Sequence, residues 1–173
     1  MERRGILKSK KAEGVFGMSF SMIFSILLIV FFFAAAFVAI KFFLGFQRQA
    51  SVGLFLDDLQ GDIDKAWNSP SSSFVFENTL PSGIKYACFV NLTKESTSKT
   101  SLEKEVYEYV KFSGTSYQTN FVLWPIEKAG DLAFKSLKHV QLPSSNPYCI
   151  EVKDGKVEIK IDKTFEQSVP SVS

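Results

Sequence analysis

The sequence predicts an α+β protein: a long N-terminal transmembrane helix that extends into an exterior domain with an antiparallel β-sheet. Three observations carry that prediction. Residues 14–40 run 27 positions without a charge. Apolar residues then recur at helical spacing from Val52 to Trp67. Near the C-terminus, two alternating runs flank Asp154-Gly155.

The uncharged run comes first. About 20 apolar residues at 1.5 Å rise cross a hydrocarbon core of about 30 Å. Lipid offers no partner to open backbone groups, so the segment must be helical. Its flanks differ. Arg3, Arg4, Lys8, Lys10 and Lys11 precede it, whereas Lys41 and Arg48 follow, with Asp57, Asp58, Asp62 and Asp64 beyond. Basic flanks stay cytoplasmic, which predicts N-terminus in and C-terminus out. Lys41 can snorkel to the outer interface, with Phe42, Phe43 and Phe46 beside it. A cleaved secretory signal is the competing reading. Its apolar region spans only about 7–15 residues, and here apolar residues continue past Ala34-Ala35-Ala36. A retained anchor fits the length.

The chain therefore divides into a basic cytoplasmic tip (1–13), a transmembrane helix (14–46), an amphipathic extension (47–70) and a β-rich head (71–173). The formal net charge of +2 resides in the tip. The exterior part is close to neutral and gives no argument for nucleic acid as a partner. The tip suits anionic headgroups of the lipid bilayer.

In the extension, Val52, Phe55 or Leu56, Leu59, Ile63 and Ala66 or Trp67 form one apolar stripe. The four aspartates occupy much of the polar side. Asn68-Ser69-Pro70 ends the helix. One helix over roughly residues 15–67 results. Gly45, Gly53 and Gly61 each cost about 1 kcal/mol in a helix interior and leave room for a bend or short break.

Past Pro70 the pattern turns to strands. Residues 73–77 are β-prone, and Pro81-Ser82-Gly83 signals a turn. Residues 85–92 read as a strand buried on both faces. Residues 93–101 read as an exposed loop. Residues 102–112 read as a short helix with Leu102, Val106, Tyr109 and Val110 on one side, although a strand also fits. Residues 120–124 form a strand stopped by Pro125. Residues 133–142 are ambiguous, with a strand over the second half. Residues 148–162 read as a hairpin: Asp154-Gly155 supplies a two-residue turn that wants positive φ. Tyr148, Ile150 and Val152 face the core from one arm, and Val157, Ile159 and Ile161 from the other. Glu158, Lys160 and Asp162 face water and discourage edge pairing. Residues 168–173 are expected to fray.

Chemistry is sparse. The single histidine, His139, has no cysteine or carboxylate cluster beside it in the sequence, and an ordinary surface or core histidine is the reading. The two cysteines, Cys88 and Cys149, lie too far apart for a zinc motif. On the predicted exterior side a disulfide between them persists and contributes about 2–4 kcal/mol; two buried thiols are the alternative. Asn91-Leu92-Thr93 is a glycosylation sequon, which makes Asn91 a candidate acceptor. The aspartates lack the EF-hand pattern and read as a solvated helix face. No charge lies inside the span, so ion conduction has no support. Glycine-rich phosphate loops and nucleophile elbows are absent. No catalytic residue, metal ligand or cofactor is expected, and the chain reads as a non-enzyme.

One pattern in the span suggests association. Gly17, Ser21 and Ser25 recur every four residues, and Ala35 with Ala39 repeats the spacing. Small residues at that period let helices approach closely, so self-association through the membrane helix is a candidate role.

The basic tip, apolar helix, amphipathic extension and β-rich head resemble type IV pilin-like proteins, archaeal ones included. The resemblance covers the layout and residues 8–67. It implies cleavage by a prepilin peptidase near Lys10-Lys11-Ala12-Glu13, Gly14 or Gly17-Met18-Ser19-Phe20, and helices packed into a filament core. The apolar segment carries no Glu at its fifth position, where many pilins have one. The layout also resembles uncharacterised single-pass membrane proteins of archaea, which implies no function. A structural or assembly protein is the first expectation. The alternative is an anchored monomeric binding module whose head holds an exterior protein partner or ligand.

Overall fold

The computed structural model describes residues 20–113 and 118–173, with side chains from residue 22 onward. The chain forms two compact units, which meet in sequence at Phe43 and Leu44. The first contributes the N-terminal part of helix α1 (Phe20–Asn68), through Phe43. Helical pairing continues through Gly45, Gly53 and Gly61 to Asn68, so the glycines introduce no break.

The second unit is built on the other part of α1. Val52, Phe55, Leu56, Leu59, Ile63 and Ala66 are all at most 1% exposed. That is the stripe expected from the spacing, because residues three and four apart share a helix face. Ala66 takes the last core position. Trp67 stays 39% exposed and stacks on His139 instead.

Among the described residues, seven strands form two antiparallel sheets. β1 (Ser72–Thr79), β6 (Lys156–Lys163) and β7 (Ser171–Val172) make one, in the order β1-β6-β7. β2 (Tyr86–Phe89), β3 (Phe121–Trp124), β4 (Phe134–Lys135) and β5 (Tyr148–Glu151) make the other, in the order β4-β3-β2-β5. The second sheet is buried on both faces. Ala87, Phe89, Phe121 and Leu123 join the α1 core. Cys88, Val90 and Val122 point the other way, onto Val106, Tyr107 and Val110 of α2 (Ser101–Phe112). Period-two alternation between two packed layers explains why residues 85–92 read as a strand buried on both faces. Helix α2 starts with a capping box: Thr100 Oγ1 accepts the Glu103 N–H, and a Glu103 carboxylate oxygen accepts the Thr100 N–H. A one-turn helix, α3 (Ile126–Ala129), follows β3.

Three expectations need correction. Residues 148–162 are not a hairpin within one sheet. The turn is present, with φ of 51° at Asp154 and 77° at Gly155, and Lys153 and Lys156 exchange two backbone hydrogen bonds. Beyond that bridge the arms part. β5 pairs with β2, and β6 pairs with all eight residues of β1. Each arm finds a longer or better-fixed partner than the other arm.

The second correction concerns residues 133–142. Their strand, β4, lies in the first half. In the second half, side-chain amides take the place of a neighbouring strand. Asn120 Nδ2 donates to the Leu137 carbonyl and Asn120 Oδ1 accepts its N–H, at 2.8 and 2.7 Å. Gln60 brackets Lys138 in the same way, at 3.2 and 2.8 Å. His139 then takes a φ of 57°, outside strand geometry.

Third, residues 168–173 do not fray. Val172 is 3% exposed in the core. Lys160 and Ser173 exchange backbone hydrogen bonds at 2.9 and 3.0 Å, and the Pro170 carbonyl accepts the Gln141 N–H.

Candidate functional site

Residues 22–43 of α1 carry the most unusual surface in the molecule. Every one of them is exposed, including Phe33 at 73% and Phe42 at 81%. Scattered exposed apolar residues are ordinary, but a continuous apolar surface of this extent marks an interaction surface. This helix is long and apolar enough to cross a membrane. At the end of the run the Lys41 ammonium lies 4.8 Å from the Phe37 ring centroid, close enough for cation–π attraction.

The small residues of this helix were singled out by period. At 3.6 residues per turn, positions 21, 25, 35 and 39 of α1 fall within a sector of about 80°. Gly17 and the Ser21 side chain lie outside the described residues. Ser25, Ala35 and Ala39 are all exposed on α1. Leu28 and Phe32 occupy the same sector between them by the same arithmetic. Among the described side chains, bulky Leu28 and Phe32 therefore stand between Ser25 and the pair Ala35 and Ala39.

The head is braced by three devices. The first is the disulfide between Cys88 and Cys149, which are register partners on β2 and β5 with Cα atoms 4.0 Å apart. The ladder explains the closeness. Val152 N–H bonds the Lys85 carbonyl, so alternate pairs are hydrogen-bonded and the 88–149 pair falls between them, where side chains approach most closely. With both sulfurs bonded, neither cysteine is available as a thiol nucleophile or metal ligand.

The second device is Asn146, which is 5% exposed. Its Oδ1 accepts the Asn91 N–H at 2.8 Å. Its Nδ2 donates to the carbonyls of Asn91, Glu95 and Lys94 at 2.8, 3.1 and 3.2 Å. One buried amide thus fastens the loop over residues 91–97, satisfying backbone groups that burial would otherwise leave unpaired. The sequon sits on this loop. Asn91 Oδ1 accepts the Thr93 hydroxyl at 2.6 Å and the Thr93 N–H at 3.0 Å, an Asx-type turn on a half-buried residue.

The third is the one histidine. His139 Nδ1 lies 2.9 Å from Asp64 Oδ1, and its ring stacks on Trp67 at 3.7 Å and 6°. Asp64 and Trp67 are three apart on α1, so both present to one side of the helix. In sequence Asp64 lies 75 positions from His139, which is why local reading found no carboxylate partner. The contact joins helix and loop; both groups are partly exposed.

The remaining aspartates make scattered contacts. Asp57 and Asp58 are exposed. Lys65 Nζ bonds Asp62 at 2.6 Å, which holds the ammonium above its ordinary pKa. Among the described residues no group of three or more His, Cys, Asp or Glu side chains could hold a metal.

Asn146 and Gln60 were missed by sequence reading, since an amide that bonds distant backbone leaves no periodic mark. The capping box was readable: Thr100 followed three residues later by Glu103 is a helix-start signature. No known protein family, curated protein or solved structure matches the chain.

Proposed function

We propose that this chain is a membrane-anchored structural or assembly protein of pilin-like layout, with its N-terminal tip cytoplasmic and its head exterior. One observation carries the reading. In a single helix, residues 22–43 are exposed and uncharged up to Lys41, while residues 52–66 bury a full stripe in a folded head. The first segment lacks the cover that apolar side chains need in water, and lipid or neighbouring copies supply it. The basic tip favours the cytoplasmic side. The patches at Gly17, Ser21 and Ser25, and at Ala35 and Ala39, offer contact to other copies within the bilayer.

Two measurements test this reading. The intact mass of the mature protein is expected to show loss of residues 1–12, 1–14 or 1–17; a full-length N-terminus contradicts pilin-like processing. Crosslinking in membranes is expected to give oligomers that Gly17→Leu with Ser21→Leu reduces. Unchanged crosslinking would mean that this face meets only lipid.

A separate observation favours the second reading, an anchored monomer whose head holds a partner. Tyr109 and Phe112 on α2 are 46% and 77% exposed, with Tyr109 against the Trp124 ring. A strictly monomeric mass in nanodiscs, with full-length head and helix, would favour this reading over assembly.

A further inference from the structure

The head contains four outer strands, and three are short. β4 and β7 have two residues each and β5 has four. β7 is also flanked by Gln141, bridged to Ser171. β1 differs. It has eight residues in unbroken register with β6 and no bulge. The Leu80 N–H bonds the Gly155 carbonyl at 2.7 Å, continuing that register. In an antiparallel ladder only alternate residues bond a given neighbour. Even-numbered residues of β1 therefore face β6. Ser73, Val75 and Glu77 turn their N–H and C=O groups outward, where no backbone partner meets them among the described residues. Val75, at the centre of this edge, is 56% exposed. Long edges are usually blunted by Lys, Pro, a bulge or a covering element; β1 contains neither Lys nor Pro.

Beside this edge runs a groove of about 510 Å³ against α1. Asp57, Asp58, Asp62 and Glu77 line it, with Lys65 as the one cation in the lining. Gly61 is among the lining residues, and a Cβ there would meet nothing within 4 Å. Lys65 pairs with Asp62, Lys135 with Asp57 and Lys156 with Glu77, at 2.6, 3.7 and 3.1 Å. All three pairs are exposed, so an incoming cation can exchange with them at small cost.

We propose that the outer edge of β1 is a docking site for an extended polypeptide segment with basic side chains, which adds to the sheet as a fourth strand. The open ladder supplies backbone hydrogen bonds, and the groove supplies side-chain selection. Strand side chains alternate between faces. A residue opposite Val75 shares its outer face, and those on either side of it point toward the carboxylates of α1. Lys or Arg belongs at those flanking positions. A second copy of β1 would bring no basic residue to the groove, because Ser72–Thr79 contains none. The inference concerns the head alone and holds whether or not residues 22–43 lie in lipid.

The test uses the full chain in nanodiscs and a short synthetic peptide alternating Lys with Val and Thr, beside its Glu-for-Lys counterpart. The Lys peptide is expected to slow amide exchange at Ser73, Val75 and Glu77 by about tenfold or more, as new backbone hydrogen bonds form. The Phe74 and Phe76 amides, already bonded to β6, should not change. Val75→Pro removes an outward N–H that the sheet does not use, and is expected to weaken binding by about tenfold. Gly61→Leu fills the groove from the open side of the helix and favours helix formation, so it is expected to weaken binding with thermal unfolding of the head no lower. No slowing at the three edge amides overturns the proposal. So does equal binding of the Glu peptide, or unchanged binding by Gly61→Leu. Protection that appears without peptide and grows with protein concentration also overturns it, since the edge would then pair with a second copy.

Discussion

The two parts of helix α1 share a backbone conformation and differ in everything around it. Residues 22–43 carry one charge, Lys41 near their end, and are otherwise dominated by apolar side chains that are exposed on all sides. Residues 44–68 carry one apolar stripe, and that stripe is buried. An all-round apolar helix needs an apolar environment on every face, whereas a striped helix needs a partner on one. In the second part, Phe55 meets Phe76 and Phe121, at ring centroid distances of 5.6 and 6.3 Å. Pattern, rather than apolar content, assigns each part its surroundings.

The sharpest way to break this comparison is a matched pair of truncations. Phe55→Ala removes a fully buried ring and is expected to destabilise the head by about 3–5 kcal/mol. Phe33→Ala, on the exposed part, is expected to change head stability by less than about 0.5 kcal/mol. Denaturant unfolding of the head, followed by Trp67 and Trp124 fluorescence in detergent, measures both. Equal effects would mean that the two parts are not distinct.

The disulfide gives the next largest effect. Cys88→Ala with Cys149→Ala is expected to lower head stability by about 2–4 kcal/mol while the helicity of residues 22–43, followed by amide exchange in nanodiscs, stays the same. Thr100→Ala is smaller. It removes one half of the capping box and is expected to cost about 1 kcal/mol, read as a lower unfolding midpoint without a change in m-value.

Acid gives the smallest effect, also confined to the head. The hydrogen bond from Lys160, then that from Ser73, holds the Asp162 carboxyl below its ordinary pKa. A carboxylate with a lowered folded pKa contributes its stability above its unfolded pKa, about 3.9. The contribution fades as pH falls below that value toward the folded pKa. Asp162→Asn should therefore reduce the acid sensitivity of the head slightly, with no effect on residues 22–43.

The same contrast explains what could be read in advance. Helix α1 was legible because its signal is local: the stripe from Val52 to Ala66 recurs every three or four residues. β2 was legible because burial on both faces leaves an unbroken apolar run at Ala87–Val90. Disagreement began where pairing depends on distant residues. The turn at Asp154-Gly155 was correctly located, yet nothing local reveals that β1 claims β6 and that β2, bonded through Cys88, claims β5. The bracketing of Leu137 and Lys138 by Asn120 and Gln60 is equally non-local. So is the pairing of His139 with Asp64. Among the candidate association residues, helix geometry adds an obstacle that the four-residue spacing hides: Leu28 and Phe32 share the sector between Ser25 and the pair Ala35 and Ala39.

The central claim is that residues 22–43 lie in a bilayer with the head outside. Single cysteines in whole cells, probed with a membrane-impermeant maleimide, test it most directly. Glu166→Cys, exposed in the head, should react in intact cells. Ser9→Cys, in precursor that still carries its tip, should react only after the membrane is opened. Phe33→Cys should stay unreactive in both states. Ready labelling at Phe33→Cys, or a Glu166→Cys that reacts only after lysis, would contradict the account.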